Sequence, residues 1–489
     1  MRVYVEAQDQ KQAEEIQALV AASLYSSVNP ARFAREPEPD RVCCCPVGKH
    51  GVKTMPTNVT AAVIGLGYVG LPLAIRMVNA GLSVIGIDVD ANKVHSLCAG
   101  ESYIADIPSN VLGEALSTGR FSVTSDFSVL QQVDAVSICV PTPLRKTKDP
   151  DLSYIASAVS EIAKYLHLGQ IVILESTTYP GTTDELVLDE LAQTGLNVGK
   201  DFFLAFSPER IDPGNQRFTV ENTPKVIGGV TPTCTTNAAA FYRLFLPNVI
   251  EVSNARVAEM VKLMENTFRA VNIALVNEMA LLSDRMGIDI WEVIDAAATK
   301  PFGFMPFYPG PGIGGHCIPL DPLYLSWKAK TFDFYHRFIE LASEVNSGMP
   351  RFVVNKVADV LNQSGKAVRG SKIVLMGLSY KRDVEDLRES PALEIFELLR
   401  ENGANVVCTD PHVRSFRNNQ DELVSTMELT PQIVGEADLV LLVTDHSAYD
   451  YQMVADHAPL ILDTRNAFKG VEGGRVIKLG TGVPKLELV

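Results

Sequence analysis

The chain has 489 residues, a formal charge of −15, and 21% charged against 46% hydrophobic residues. This composition excludes a disordered chain, and the length predicts about three domains rather than one core. The negative balance argues against nonspecific binding to nucleic acid or to an anionic membrane, since both would be repelled; an anionic ligand needs a local basic pocket.

Residues 1–56 differ from the rest. Residues 10–24 predict a short helix, but Val28 to His50 carries prolines, arginines and the adjacent Cys43, Cys44 and Cys45 without apolar periodicity. Adjacent cysteines lack the two-residue spacing of zinc knuckles, so a disordered extension and no metal site are expected. The first thirty residues lack a signal-peptide pattern and no apolar run reaches the length of a membrane span, which makes a cytoplasmic location the expectation. The spacing of the remaining cysteines, Cys98, Cys139, Cys234, Cys317 and Cys408, suggests no disulfide framework.

From Thr60 the pattern changes. Thr60–Ile64 reads as a strand running into Gly65-Leu66-Gly67-Tyr68-Val69-Gly70, then a helix to Ala80 and a second strand, Ser83–Ile87, ending in Asp88. A glycine pattern in this context is a dinucleotide site: Gly65 for the tight turn, Gly67 for close approach of a pyrophosphate, Gly70 for helix packing. Asp88 suits a ribose 2′-hydroxyl and repels a 2′-phosphate, so NAD is expected rather than NADP. Further strands are predicted at Ala135–Val140, Ile171–Leu174 and Phe202–Phe206, ending in polar loops that hold Thr142, Thr178, Glu209 and Arg210. Residues 57–253 are expected to be one doubly wound α/β domain.

Asn254 to Arg285 repeats apolar residues at helical spacing, and Gly287 stops it. A helix of about 30 residues, roughly 45 Å long, can connect domains and supply a dimer surface. Its methionines, Met260, Met264 and Met279, read as core filler. Lys262 and Asn266 lie one turn apart on one face.

Tyr308 to Pro322, Y-P-G-P-G-I-G-G-H-C-I-P-L-D-P, is expected to be a tight, shaped loop carrying Cys317 and Asp321, a thiol and a carboxylate on one rigid element. Helices are predicted at about Leu323–Lys330, Phe334–Asn346 and Pro350–Asn362, completing a central domain over 254–365. Residues 366–489 resume strand–helix alternation at Lys372–Met376, Pro391–Glu401, Asn405–Cys408, Leu439–Val443 and Leu460–Leu462. This second α/β unit has no glycine fingerprint. Its basic cluster, Lys381-Arg382 with Arg388, is a candidate for a diphosphate cradle, although Arg388, among Asp383, Asp386 and Glu389, reads rather as part of a salt-bridged surface.

The loop G-G-H-C-I-P-L-D-P resembles the active-site loop of the nucleotide-sugar 6-dehydrogenases, which oxidise the C6 alcohol of a UDP-sugar to a carboxylate; the resemblance runs over roughly residues 58 to 480. It implies two Rossmann-like doubly wound α/β domains joined by a central helical domain with a long connecting helix, NAD as cofactor, a UDP-sugar as substrate, and a homodimer through the central domain. The implied catalytic set is Cys317 as nucleophile with Lys262, Asn266, Asp321, Glu209 and Thr178. The implied cofactor set is Gly65, Gly67, Tyr68, Val69, Gly70, Asp88, Lys93, Thr142 and Thr178. Glu209, Arg210, Lys262, Asn266, Tyr308, Gly312, Lys381 and Arg465 are implied at the sugar nucleotide. The resemblance further implies a four-electron oxidation through a thiohemiacetal and a thioester, as a supply step for polysaccharide synthesis.

Thr299 to Gly312, T-K-P-F-G-F-M-P-F-Y-P-G-P-G, resembles the branch acting on UDP-N-acetylglucosamine, which makes that sugar the expected substrate. UDP-glucose and the N-acetylmannosamine or N-acetylgalactosamine nucleotides are the alternatives, followed by a two-electron β-hydroxyacid dehydrogenase and a silent nucleotide-sugar binding protein. The family pattern begins only after Met55, which raises Met55 as a natural start. Neither the sugar's C2 and C4 configuration nor the choice between Asp321 and Glu209 as proton acceptor is decidable from these residues.

Overall fold

The computed structural model describes residues 59–104, 106–145, 149–210 and 219–482. The expectations for residues 1–56 lie outside the described residues. Eight strands form the first sheet: β1 (Thr60–Ile64), β2 (Ser83–Ile87), β3 (Phe121–Thr124), β4 (Ala135–Ile138), β5 (Ile171–Leu174), β6 (Phe203–Phe206), β7 (Lys225–Gly229) and β8 (Val249–Glu251), in the order β3-β2-β1-β4-β5-β6-β7-β8. β1 pairs in parallel with both β2 and β4, Ile64 opposite Ile87 and Ile138, so the strand order reverses at β1 and opens a crevice beyond its carboxyl end. Helix α1 (Gly70–Asn79) starts there and buries Leu71, Leu73 and Met77 against the sheet. Helix α2 (Pro232–Tyr242) covers the sheet near β7.

Strands β3, β7 and β8 are absent from the sequence reading. β7, Lys-Val-Ile-Gly-Gly, opens on a charge and closes on two glycines. The glycines are needed for packing: a Cβ on Gly228 would stand 2.1 Å from the Asn254 carbonyl oxygen, and one on Gly229 2.3 Å from the Thr235 nitrogen. β7 is antiparallel to β6, unlike the other neighbours in this sheet.

Helix α3 (Ala255–Met286) is the long helix. The Asn254 side chain caps it by accepting from Val257 N, and Gly287 ends it in the left-handed conformation, φ 70°. Its buried face differs from the expected one. Alanines 255, 258, 270, 274 and 280 allow close packing, and Glu259, Lys262, Asn266 and Asn277 are buried with them. Met260, Met264 and Met279 are exposed, Met264 at 63%, together with Val257, Phe268, Leu275 and Leu282. The methionines therefore do not fill this chain's core. The apolar stripe read from the sequence is the outer face, and the inner face was masked because small and polar residues line it.

Helix α4 (Ile290–Ala298) follows, then α5 (Cys317–Lys330) and α6 (Arg337–Gln363). Two boundaries differ from expectation. Cys317 is the first residue of α5 rather than part of the loop: Pro319 falls in the first turn, where no intrahelical N–H bond is lost, and Pro322, inside the helix, is buried with Asp321, Tyr324 and Ser326. α6 runs unbroken through Pro350; burial of Met349, Val353, Val354 and Val357 in the core outweighs a proline cost of about 3 kcal/mol.

Beyond α6 lie β9 (Lys372–Met376), helix α7 (Pro391–Glu401), β10 (Asn405–Thr409), the antiparallel pair β11 (Ser415–Arg417) and β12 (Leu423–Ser425), β13 (Leu439–Leu442), β14 (Ile461–Asp463) and β15 (Val476–Lys478). The second sheet has the order β10-β9-β13-β14-β15, all parallel. Two Rossmann-like sheets linked by a helical region are thus the architecture. Among the described residues, no helix is long and apolar enough to cross a membrane.

Candidate active site

The glycine loop divides its labour sterically. Gly65, at φ +90°, turns the chain where a Cβ would meet the Cys139 carbonyl at 2.6 Å, and a Cβ on Gly70 would stand 1.9 Å from the Gly65 oxygen. A Cβ on Gly67 would meet nothing within 4 Å. That open space, at the start of α1, fits a cofactor pyrophosphate at a helix N-terminus. Val69 precedes α1 without a side-chain capping bond, and Tyr68 stands exposed in the loop. Asp88, buried at the end of β2, accepts from Leu66 N at 2.9 Å, and Lys93 lies 3.7 Å away. Thr178, after β5, has a buried hydroxyl with no partner among the described residues, as expected of a group facing a bound ligand or water. Thr142, after β4, is buried, and its carbonyl accepts from the Tyr324 hydroxyl of α5, tying the cofactor side to the cysteine helix.

Cys317 sits at the N-terminus of α5, where the helix favours a thiolate, and opens to solvent on one side. Burial on its other sides and the Asp321 carboxylate push its pKa up, while Lys262, Arg388 and Arg269 pull it down. Asp321, one turn along, is 1% exposed and accepts from Asn266 Nδ2 at 2.6 Å. Burial pushes Asp321 up to about 6, against Lys262 and Asn266, which favour its charged form. Lys262 is buried, and its ammonium donates to the Glu209 main-chain oxygen at 2.6 Å. Cys317, Asp321, Lys262, Asn266 and Glu209 therefore converge where α3, α5 and the end of β6 meet.

Glu209 turns its carboxylate inward, to Lys225 Nζ at 3.3 Å. Lys225 also pairs with the buried Glu175, which accepts in addition from the Tyr242 hydroxyl. Arg210 is engaged by Glu265 and by the Pro224 oxygen. Glu259, on the Lys262 face of α3, accepts from Gly181 N, Thr183 N and Thr183 Oγ1 and so holds the loop that follows Thr178; burial pushes it up to about 7. Sequence reading missed Glu175, Lys225, Tyr242 and Glu259. The one available signal was a carboxylate directly after four apolar residues of β5.

The second sheet closes over the cysteine loop. Gly315 N donates to the Arg388 oxygen at 2.9 Å, and Tyr380, beside Lys381, packs so tightly that a Cβ on Gly315 would stand 2.7 Å from its ring. Gly312, at φ +135°, lies against Pro391 at the start of α7. Tyr308 and Arg465 meet in a cleft of about 370 Å³ lined also by Trp291, Asp295, Asn466 and Lys469. There Tyr308 stacks on Trp291 and donates to Asp295, and Asn466 Oδ1 is buried without a partner among the described residues. The cleft is aromatic and of mixed charge: Arg465 and Lys469 stand with Asp295 and Asp445, and Lys469 pairs with Asp295. Arg388 itself bonds Asp386 and stands over the Tyr68 ring. Among the described residues, Asp383, His412 and His446 cluster closely enough to suggest a metal, but the His446 nitrogens already face Asp383 N, Ser379 and Asp410.

The comparisons agree with this geometry. Residues 59–246 match the NAD binding domain, 256–348 the central domain and 374–470 the UDP binding domain of the UDP-glucose/GDP-mannose dehydrogenase family. The chain is 36% identical over 430 residues to the UDP-N-acetyl-D-mannosamine dehydrogenase of Pyrococcus horikoshii, covering 86% of this chain and 99% of the relative. The solved structure of that dehydrogenase superposes with a TM-score of 0.79 at 35% identity, over 86% of this chain and 99% of the other. The UDP-N-acetyl-D-mannosamine dehydrogenase of Salmonella typhi is 35% identical, covering 84% of this chain and 99% of the relative. The UDP-N-acetyl-D-glucosamine 6-dehydrogenase of Pseudomonas aeruginosa is 37% identical, over 80% and 92%. The chain belongs to the UDP-glucose/GDP-mannose dehydrogenase family and is an NAD-dependent oxidoreductase of a UDP-sugar.

Proposed function

We propose that the chain oxidises the C6 alcohol of a UDP-N-acetylhexosamine to the uronic acid through a covalent intermediate on Cys317, with UDP-N-acetylmannosamine as the leading substrate. The observation that carries the chemistry is the meeting of Cys317, Asp321, Lys262 and Asn266 in one site. Bound NAD supplies the hydride acceptor. Asp321, raised towards neutrality and held by Asn266, takes the C6 hydroxyl proton as the alcohol becomes an aldehyde. The Cys317 thiolate then adds to the aldehyde carbon, and the Lys262 ammonium faces the resulting oxyanion. From that oxyanion a second hydride departs to a second NAD, which would bind after the first NADH has left, and a thioester remains. Water, positioned by the unpartnered Thr178 hydroxyl, cleaves it and returns the thiol.

This reading gives the proton acceptor's role to Asp321. The Glu209 carboxylate is turned to Lys225, and Glu209 meets Lys262 through its main-chain oxygen instead.

On the sugar, the names of similar proteins support N-acetylmannosamine more often than the N-acetylglucosamine favoured by Thr299 to Gly312. Most of that stretch is exposed in the single chain, Phe302 at 71%, which weakens its use as a pocket lining. The same exposure, with the outer stripe of α3, supports a homodimer through the central region. The test is NADH formation with UDP-N-acetylmannosamine, UDP-N-acetylglucosamine and UDP-glucose. Two NADH per uronic acid with an N-acetyl sugar supports the chemistry, a faster manno than gluco epimer supports the substrate, and a clear UDP-glucose preference overturns the choice.

A further inference from the structure

Below the site lies a cluster of titratable groups that the chemistry above does not use. Cys139 follows β4, Glu175 follows β5, Glu209 follows β6, Lys225 opens β7 and Tyr242 ends α2, so five elements contribute one group each. Lys225 is 5% exposed; its ammonium lies 2.5 Å from Glu175 Oε2 and 3.3 Å from Glu209 Oε2. Tyr242 donates to the other Glu175 oxygen. Two carboxylates thus share one ammonium where solvent does not reach.

Glu209 connects this cluster to the site. At one end of the residue Oε2 accepts from Lys225 at 3.3 Å and Oε1 from Arg210 N at 2.6 Å, and at the other the main-chain oxygen accepts from Lys262 at 2.6 Å. We propose that Lys225, itself held by Glu175 and Tyr242, is a positioning residue for the oxidation: by fixing Glu209 it aims the Lys262 ammonium at the oxyanion formed on the sugar carbon.

A stability role alone would not require charge here. Buried ion pairs repay their desolvation poorly, and an apolar pair would join β5 to β7 as well. Deletion of Lys225 would instead leave two buried carboxylates facing each other without a cation. Glu209 would then have to take up a proton or turn away, and either change shifts the carbonyl that orients Lys262.

The inference rests on the oxyanion role given to Lys262, and the experiment separates the two. Three variants of the full chain are compared with wild type by thermal melting, steady-state kinetics and pH profile: Lys225→Arg, Lys262→Met, and the neutral repacking Lys225→Met/Glu175→Leu/Tyr242→Phe. The repacked variant is expected to melt near wild type and keep both KM values within about twofold, while kcat falls about 100-fold and its pH profile moves. Lys225→Arg should keep kcat within about tenfold. A repacked variant with wild-type kcat and pH profile overturns the positioning role, even if Lys262→Met is inactive. A Lys262→Met enzyme of wild-type rate overturns the oxyanion reading and the positioning role with it. If the repacked variant does not fold, Glu209→Gln decides: a loss of tenfold or more at unchanged KM, by the rough range of such contacts, supports the grip, and an unchanged kcat overturns it.

Discussion

The guanidinium of Arg388 stands 5.1 Å from the centre of the Tyr68 ring, although 320 positions of sequence separate a loop of the second sheet from the glycine loop of the first. The same residue accepts from Gly315 N through its carbonyl. One arginine therefore touches both the cofactor loop and the cysteine loop.

Its side-chain contact should matter for cofactor binding. A cation over an exposed ring contributes about 0.5–1 kcal/mol, so Arg388→Ala is expected to raise the KM for NAD by roughly two- to sixfold. Arg388→Lys should lie between, since the ammonium can face Tyr68 but cannot reproduce the paired contact with Asp386. Steady-state titration of NAD checks this; equal KM values in all three enzymes would mean that the contact does not reach the cofactor.

Asp321 sets an expected pH dependence. As proton acceptor it must be ionised, so kcat should fall as pH drops through about 6. For stability the sign is opposite. With a folded value of about 6 against an ordinary 3.8, the native state holds the proton more tightly, so this contribution is complete below about pH 3.8 and lost as pH rises through 6. Asp321→Asn should therefore be inactive yet more stable at pH 8, by up to about 3 kcal/mol, with little gain at pH 4. Denaturant melts at the two pH values, beside a rate profile of the wild type, test both signs.

Asp88 holds the glycine loop through Leu66 N, beside the ribose role expected of it. Because it accepts from Leu66 N, Asp88→Ala should loosen the glycine turn and lower kcat/KM for NAD, besides narrowing the preference over NADP. Asp88→Asn keeps an acceptor for Leu66 N while removing the charge that repels a 2′-phosphate. It should retain most NAD activity and still narrow the ratio. Rates with both cofactors for both variants separate the two roles; an unchanged ratio in either would remove the discrimination from Asp88.

What was legible in the sequence was local. Gly65, Gly67 and Gly70 report their neighbours through spacing alone, and Lys262 with Asn266 share a face because one helical turn separates them. Asp321 is readable beside Cys317 for the same reason. The Lys225–Glu175–Tyr242 cluster was not legible: Glu175 lies 50 residues from Lys225 and 67 from Tyr242, and only the sheet order brings them together. The stripe of α3 misled in another way. Periodicity identifies an apolar face but not which body covers it, and here alanines and buried polar groups face the chain's own core while methionines face outward. Pro350 misled because a propensity is outweighed when the helix around it is buried on the core.

Cys317→Ala should abolish acid formation and leave binding of NAD and UDP-sugar nearly intact. In the proposed mechanism the thiol enters only after the first hydride has left, so ground-state binding at the glycine loop and at the Tyr308–Arg465 cleft should not depend on it. Removing the sulfur also removes a group that burial and Asp321 hold towards its neutral form, so the variant should not be destabilised by a lost ion pair. Without covalent attack, no thiohemiacetal or thioester forms, and the second oxidation could proceed only through a sparsely populated aldehyde hydrate. At most one NADH per site is then expected, read as single-turnover absorbance, with mass spectrometry of the sugar to distinguish alcohol, aldehyde and acid. A variant that released two NADH and formed the uronic acid at a rate near wild type would remove Cys317 from the mechanism, and the oxyanion role of Lys262 would have to be assigned to another intermediate.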